Sequence, residues 1–327
     1  MYRKYGNWMR SVLFLSILLM LLMLASFVVR PKRNREEDGI SNPRIYGFLS
    51  ERENTVDVLV LGDSLSCTSY NPMEVWRDHG FTSYVCGKAM QIPLETEELA
   101  EQFCERQSPK IIFMEVNPLF TKTEWKDVLV NRAERLLPVF RYHDHWKTLR
   151  LYDFYDRERF TEKSVTKGYR ASVTKIPSRP GDYMKPGGEA EPIAPLNRRA
   201  LGKLADFCRE REIDLYLYSA PNSWTWNHRR HEAVSRLAEK LGLKFFDMNR
   251  MTEEIPVDWG EDSFDGGDHL NYSGSQKVTA WMGQFLENTG VLTDRREDPA
   301  FACWNDALGE YDAYMAGLSP DMDLPKK

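Results

Sequence analysis

Five short runs of β-branched and other apolar residues, at 56–61, 83–86, 111–116, 215–220 and 244–247, recur along this chain with longer stretches between them. Runs of that length without polar alternation suit strands buried on both faces. Between them, residues 93–106, 196–212, 228–241 and 273–287 set apolar side chains at helical spacing among charges, with Pro93 placed to open the first. Strands alternating with amphipathic helices pair in parallel and carry helices on both sides. The expectation is an α/β fold, a three-layer α/β/α domain with five parallel strands in flavodoxin-like order and a site outside their carboxyl ends.

The interval 118–195, between the third and fourth runs, is too long for a simple crossover and reads as a cap insertion. Its first half has helical character, while 161–195 is rich in Gly, Pro and Lys and reads as loop.

Ahead of the first strand, residues 12–29 are apolar except for Ser16 and Ser26, long enough to span the hydrocarbon of a bilayer. A cleaved signal peptide is the competing reading, with Arg3, Lys4 and Arg10 as its basic region. The run exceeds a usual signal core, and no small-residue cleavage motif follows it. The division expected is an anchor with basic flanks at 1–35, a juxtamembrane linker at 36–54, and the main domain at 55–327. Basic residues flank both ends of the run, so charge leaves orientation open. A short N-terminal tail retained in the cytoplasm puts the main domain outside the cell membrane as a single-pass protein.

Seven of the 44 Lys and Arg fall in the first 35 residues with no acid, which leaves 37 basic against 49 acidic residues in the rest. An acidic body argues against nucleic acid as a partner, since phosphate needs a basic surface. The basic flank suits anionic lipid headgroups. The five cysteines are odd in number and lack the spacing of a zinc site. Cys67 and Cys86 follow adjacent strands and are the one pair the topology draws near each other.

The chemistry concentrates at Gly62-Asp63-Ser64-Leu65, directly after the first strand. A serine between a buried strand and a helix holds its hydroxyl at the sheet edge, beside backbone N–H groups. It needs a base, and a third group to orient that base. Among six histidines, His269 stands in the acidic turn Phe264-Asp265-Gly266-Gly267-Asp268-His269, just before the last amphipathic segment. Either Asp265 or Asp268 can orient its imidazole.

These blocks resemble the SGNH, or GDSL, hydrolases. Gly62-Asp63-Ser64-Leu65 is similar to the family's first block, with Ser64 as nucleophile, and Gly87 after the second strand to its oxyanion glycine. Asn117, in Glu115-Val116-Asn117-Pro118, is similar to the asparagine of the third block, and His269 with Leu270-Asn271 to the last. The resemblance implies a Ser64–His269–Asp acyl transfer site whose oxyanion hole is formed by Ser64, Gly87 and Asn117, with no cofactor and no metal.

The chain departs from that pattern where the family has Asp three residues before His: Gly266 stands there, with Asp265 four before and Asp268 one before. Asp265 is the choice, because two glycines can loop its carboxylate back onto the imidazole. The third block also lacks its leading glycine and closing aspartate.

The anchor, the Ser-early and His-late order and the long insertion resemble a narrower group of bacterial envelope proteins. These are the D-alanyl transfer protein of teichoic acid modification and, more distantly, the alginate O-acetyltransferases. That likeness implies an esterase or O-acyltransferase acting on acyl esters of envelope glycans, with a multi-span membrane acyltransferase as partner. The alternative is a catalytically silent glycan-binding or scaffold protein, which the displaced aspartate favours.

Within the cap, His143 and His145 do not share a helical face, and no third metal ligand accompanies them. Trp125, Trp146, Tyr152, Phe154, Tyr155, Tyr169, Trp224 and Trp226 suit either sugar stacking or the core of the cap. Lys167 and Arg170 suit either an anionic glycan or a solvated face.

Overall fold

In the computed structural model, residues 2–320 are described, with side chains from residue 7. Arg3, Lys4 and residues 321–327, which the expected anchor and main domain include, lie outside these side-chain descriptions. Five strands, β1 (Val58–Gly62), β2 (Ser83–Gly87), β3 (Ile111–Glu115), β4 (Asp214–Ser219) and β5 (Lys244–Asp247), form one sheet in the order β2-β1-β3-β4-β5. Every pairing is parallel. The expected flavodoxin-like sheet is present, each strand within two residues of its predicted bounds.

The helices are α1 (Tyr2–Val29), α2 (Pro43–Tyr46), α3 (Ser64–Ser69), α4 (Pro72–His79), α5 (Pro93–Cys104), α6 (Trp125–Leu136), α7 (Pro195–Glu210), α8 (His228–Leu241), α9 (Tyr272–Thr289) and α10 (Ala302–Ala316). The described residues divide into two compact units, one comprising residues up to Tyr46 with Glu124–Glu162, the other Gly47–Thr123 with the chain from Lys163 onward. That division falls inside both the expected linker at 36–54 and the expected cap at 118–195.

The larger unit holds the sheet. Val58, Val60, Val85, Ile111 and Phe113 point to one face, where they pack with Leu65 and Val75 and with Val278, Met282 and Leu286 of α9. Residues of opposite parity, Leu59, Leu61, Ile112 and Leu217, are also buried, and α5 and α7 cover their side. Burying each such side chain contributes about 1.5–3 kcal/mol, so the strands nearest the centre lack the polar alternation of a solvated sheet.

Asparagine caps set the starts of α4, α8 and α9. Asn71 accepts from Met73 N at 3.2 Å, Asn227 from Arg229 N at 2.9 Å, and Asn271 from Gly274 N at 3.1 Å. Sequence periodicity missed α10, whose inward stripe is Trp304, Ala307 and Tyr311. One small and two amphipathic residues make a weak apolar signal, although Trp304 and Tyr311 are fully buried. Cys67 and Cys86 are both buried free thiols, and no disulfide joins them.

The smaller unit is built around the carboxyl end of α1. Residues 7–29 are long and apolar enough to cross a membrane by length and composition. Ser26 Oγ accepts from Val139 N at 3.1 Å, and the Val29 carbonyl lies 2.8 Å from His145 Nδ1. The basic residues after α1 are engaged inside this unit. Lys32 Nζ donates to the Phe27 carbonyl at 2.7 Å, Arg30 pairs with Glu158 at 3.1 Å and Arg35 with Glu162 at 2.8 Å. Lys32 thereby satisfies one of the carbonyls a helix leaves open at its end. Burial lowers its pKa against the raising charge of Glu158.

Candidate active site

β1 reaches Gly62, where φ is +146° and a Cβ would lie 2.6 Å from Glu115 Cβ, so no other residue fits the approach of the turn to β3. Asp63 follows as the cap of α3, its Oδ1 accepting from Leu65 N at 2.9 Å. Ser64 is thus the first helical residue, held by a capped turn at the sheet edge. This is also where the strand order reverses between β1 and β3, the crevice that open α/β sheets present.

His269 Nε2 stands 2.7 Å from Ser64 Oγ, and its Nδ1 stands 2.6 Å from Asp265 Oδ2. The second Asp265 oxygen accepts the His269 backbone N–H at 2.8 Å. An ionised carboxylate accepts only, so Nδ1 carries the proton and Nε2 is left to accept from the serine hydroxyl. Gly266 at φ +83° and Gly267 at φ +105° turn the chain so that Asp265 faces back onto the ring four residues later. Of the two aspartates, Asp268 is the more distant, with Oδ2 3.5 Å from Nδ1.

Burial lowers the His269 pKa, but the Asp265 hydrogen bond and the charges of Asp268, Asp265 and Asp63 outweigh it, and the net displacement is upward. Burial also pushes Asp265 up. There the side-chain and backbone hydrogen bonds from His269 prevail, and the carboxyl falls below its usual range.

Asn117 follows β3 and faces the same turn. Its Nδ2 donates to Asp63 Oδ2 at 2.9 Å, while its Oδ1 accepts from Arg230 Nη1 at 3.0 Å and Thr225 Oγ1 at 3.2 Å. Two donors on the oxygen fix the amide so that its nitrogen faces Asp63, next to the serine. Gly87, at the end of β2, backs the Asp63–Cys67 turn, and a Cβ there would lie 2.1 Å from Ser66 Oγ and 2.7 Å from Asp63 O.

Sequence reasoning missed several supporting residues. Asn222, after β4, donates to Asp268 Oδ1 at 2.8 Å and accepts from Trp224 N and Thr225 N, both at 2.8 Å. Ser263 accepts from Gly267 N at 2.7 Å and bridges to Leu270, closing the base of the histidine turn. A polar cluster directly after a buried strand was the available signal for Asn222, and Arg230 had none.

Glu115 was also missed. It is fully buried, and its Oε2 accepts from Asn117 N at 3.0 Å. Burial, together with the neighbouring Asp63 charge, raises its pKa well above the carboxylate range. Glu115 therefore binds its proton more tightly folded than unfolded. Its stabilising contribution is complete in acid and is lost as pH climbs through the raised pKa. Glu115→Gln is expected to melt close to the wild type in mild acid and to lose less stability on the alkaline side, as thermal unfolding across pH will show.

Asp265, Asp268 and His269 bring three metal-ligating groups within 4.8 Å of one another. Both ring nitrogens are already engaged, with Asp265 and Ser64, so the imidazole offers no free nitrogen to an ion in this arrangement. Lys167, a candidate for anion steering, is instead buried in an ion pair with Glu51 at 2.7 Å. Arg170 is exposed, with its guanidinium 5.4 Å from the Phe264 ring. Trp226 and Tyr169 are core residues, while Trp224 is 70% exposed beside the histidine turn, which Ser223 N joins through the Gly267 carbonyl at 2.9 Å. In the smaller unit Trp125, Trp146, Phe154 and Tyr155 are exposed and do not form a core. There His145 is buried against the Val29 carbonyl, and His143 is exposed.

No protein-family model matches the chain, and no curated protein matches it in sequence. Among solved structures, a GDSL-like lipase from Bacteroides thetaiotaomicron aligns at 12% identity and a TM-score of 0.36, over 71% of this chain and 88% of its own. The psychrotrophic esterase EstA from Pseudoalteromonas sp. aligns at 10% identity and a TM-score of 0.38, over 71% of this chain and 97% of its own. Similarity at that level carries no chemistry, which rests on the side-chain geometry above.

Proposed function

We propose that this chain is a membrane-anchored serine esterase or O-acyltransferase of the SGNH type, acting on acyl esters of cell-envelope glycans. The observation that carries the reading is the continuous hydrogen-bonded relay from Ser64 through His269 to Asp265, at 2.7 and 2.6 Å.

In this reading His269 Nε2 takes the Ser64 proton as Oγ attacks the ester carbonyl, and Asp265 stabilises the imidazolium. The backbone N–H groups of Ser64 and Gly87, with the Asn117 amide, receive the developing oxyanion. His269 then returns the proton to the leaving alcohol oxygen as the carbon–oxygen bond breaks. The acyl group stays on Ser64 until water or an acceptor hydroxyl, deprotonated by the same histidine, removes it.

The exposed indole of Trp224 beside the histidine turn favours a sugar-bearing substrate, since aromatic faces stack on apolar ring surfaces. The apolar helix at 7–29 supports anchorage. A multi-span acyltransferase in the same membrane would supply the acyl group if transfer, rather than hydrolysis, is the reaction. The silent scaffold reading drew on the missing aspartate at Gly266, and a carboxylate at Asp265 bonded to Nδ1 removes that reason.

A fluorophosphonate probe tests the reading directly. Full-length wild type is expected to label on Ser64 and Ser64→Ala to stay unlabelled; no labelling of folded wild type would sink it. Gly87→Ala should lower kcat/KM on an aryl acetate about a hundredfold, because the new methyl forces the Asp63–Ser64 turn to shift. Retained helical dichroism with that loss is the expected pair of results.

A further inference from the structure

In the smaller unit, large apolar side chains face outward at an unusual density. Outside α1, nine of the fourteen large hydrophobic residues exposed among the described residues fall between 125 and 155, and they include Leu136 at 80% and Leu151 at 79% exposure. A segment of that length would ordinarily bury such residues or lack them.

On α6 the pattern is ordered. Trp125, Leu129 and Leu136 recur along one helical stripe, with Arg132 between them, all exposed. The acids of α6 lie off this stripe and are engaged internally. Asp127 Oδ2 accepts from Glu124 N at 2.7 Å, and Glu134 pairs with Arg141 at 3.2 Å. The exposed face is therefore apolar and basic, the composition of a helix that lies in a lipid–water interface.

Its place in the unit names the occupant. Shortly after α6, Val139 N bonds Ser26 Oγ, one turn inside the end of α1, and Val29 at that end is buried. At ~1.5 Å per residue, the 23 residues of the span cover ~34 Å. A bilayer's hydrocarbon is only ~30 Å thick. The last turn of α1 therefore sits at headgroup depth, and so does the segment pinned to it. We infer that residues 125–155 seat on the bilayer surface, with Trp125, Leu129, Leu136 and Trp146 in the interface and Arg132 toward anionic headgroups.

This inference rests on α1 being a membrane span, and the test separates the two claims. Full-length protein is reconstituted in vesicles of phosphatidylethanolamine and phosphatidylglycerol brominated high on the acyl chains, and tryptophan quenching is recorded. Trp8, Trp125 and Trp146 should be quenched, and Trp125→Phe/Trp146→Phe should remove about two-thirds of the quenchable amplitude. If the double variant quenches like wild type, the face does not meet lipid and the inference fails while the anchor stands. A face covered by a second copy would give that same failure, since it would be shielded from bromine. If Trp8 also escapes quenching, the anchor reading fails, and the inference with it.

Discussion

Ser64→Ala and His269→Ala should each lower kcat on an activated ester by about six orders of magnitude, and the double variant should lose little more. That magnitude is typical of a serine and a histidine acting as one unit, where removal of either member abolishes nucleophile activation. The 2.7 Å contact between Ser64 Oγ and His269 Nε2 is the basis for expecting a unit. Steady-state rates for the two single variants and the double variant decide it. Additive losses would show that the two residues act separately, and the proposed acyl-enzyme route would fall.

The second large effect distinguishes the aspartates. Asp265→Asn should cost about four orders of magnitude in kcat, because a neutral amide no longer fixes the tautomer with Nε2 free or stabilises the imidazolium. Asp268→Asn should keep kcat within about tenfold, since the Asp268 carboxylate is the more distant, at 3.5 Å from Nδ1. Its signature lies in pH. The acidic charges around His269 raise its pKa against the lowering effect of burial, so wild-type kcat/KM should rise through an inflection above the ordinary histidine value. Removing the Asp268 charge lowers the histidine pKa and moves that acid limb to lower pH. Equal losses in the two variants, or an acid limb that moves upward in Asp268→Asn, would refute the assignment.

The sheet could be read from the chain because β1, β2 and β3 are short runs buried along their whole length, as a doubly covered parallel sheet requires. α10 could not, since Trp304, Ala307 and Tyr311 make too thin a stripe. The smaller unit was illegible for a different reason. Its parts, the residues up to Tyr46 and Glu124–Glu162, are joined by contacts far apart in sequence. Asn34 Nδ2 donating to the Glu162 carbonyl at 2.7 Å is one of them, and no local pattern announces such a pairing. Lys167 shows the same limit at a single residue, because a lysine in a Gly-rich segment reads as solvated until Glu51 is found against it.

The sequence by itself determined the parallel sheet and the apolar helix, and it pointed to Ser64, Gly87 and Asn117 at strand ends and to His269 in the turn before the last long amphipathic helix. Those follow from local periodicity and from the rule that sites gather at the carboxyl edge of such sheets. Only the tertiary structure decided which carboxylate meets the imidazole, because that depends on backbone angles at Gly266 and Gly267 that glycine leaves open. It alone also showed how Asn222 and Arg230 hold the site, since each acts through a partner distant in the chain.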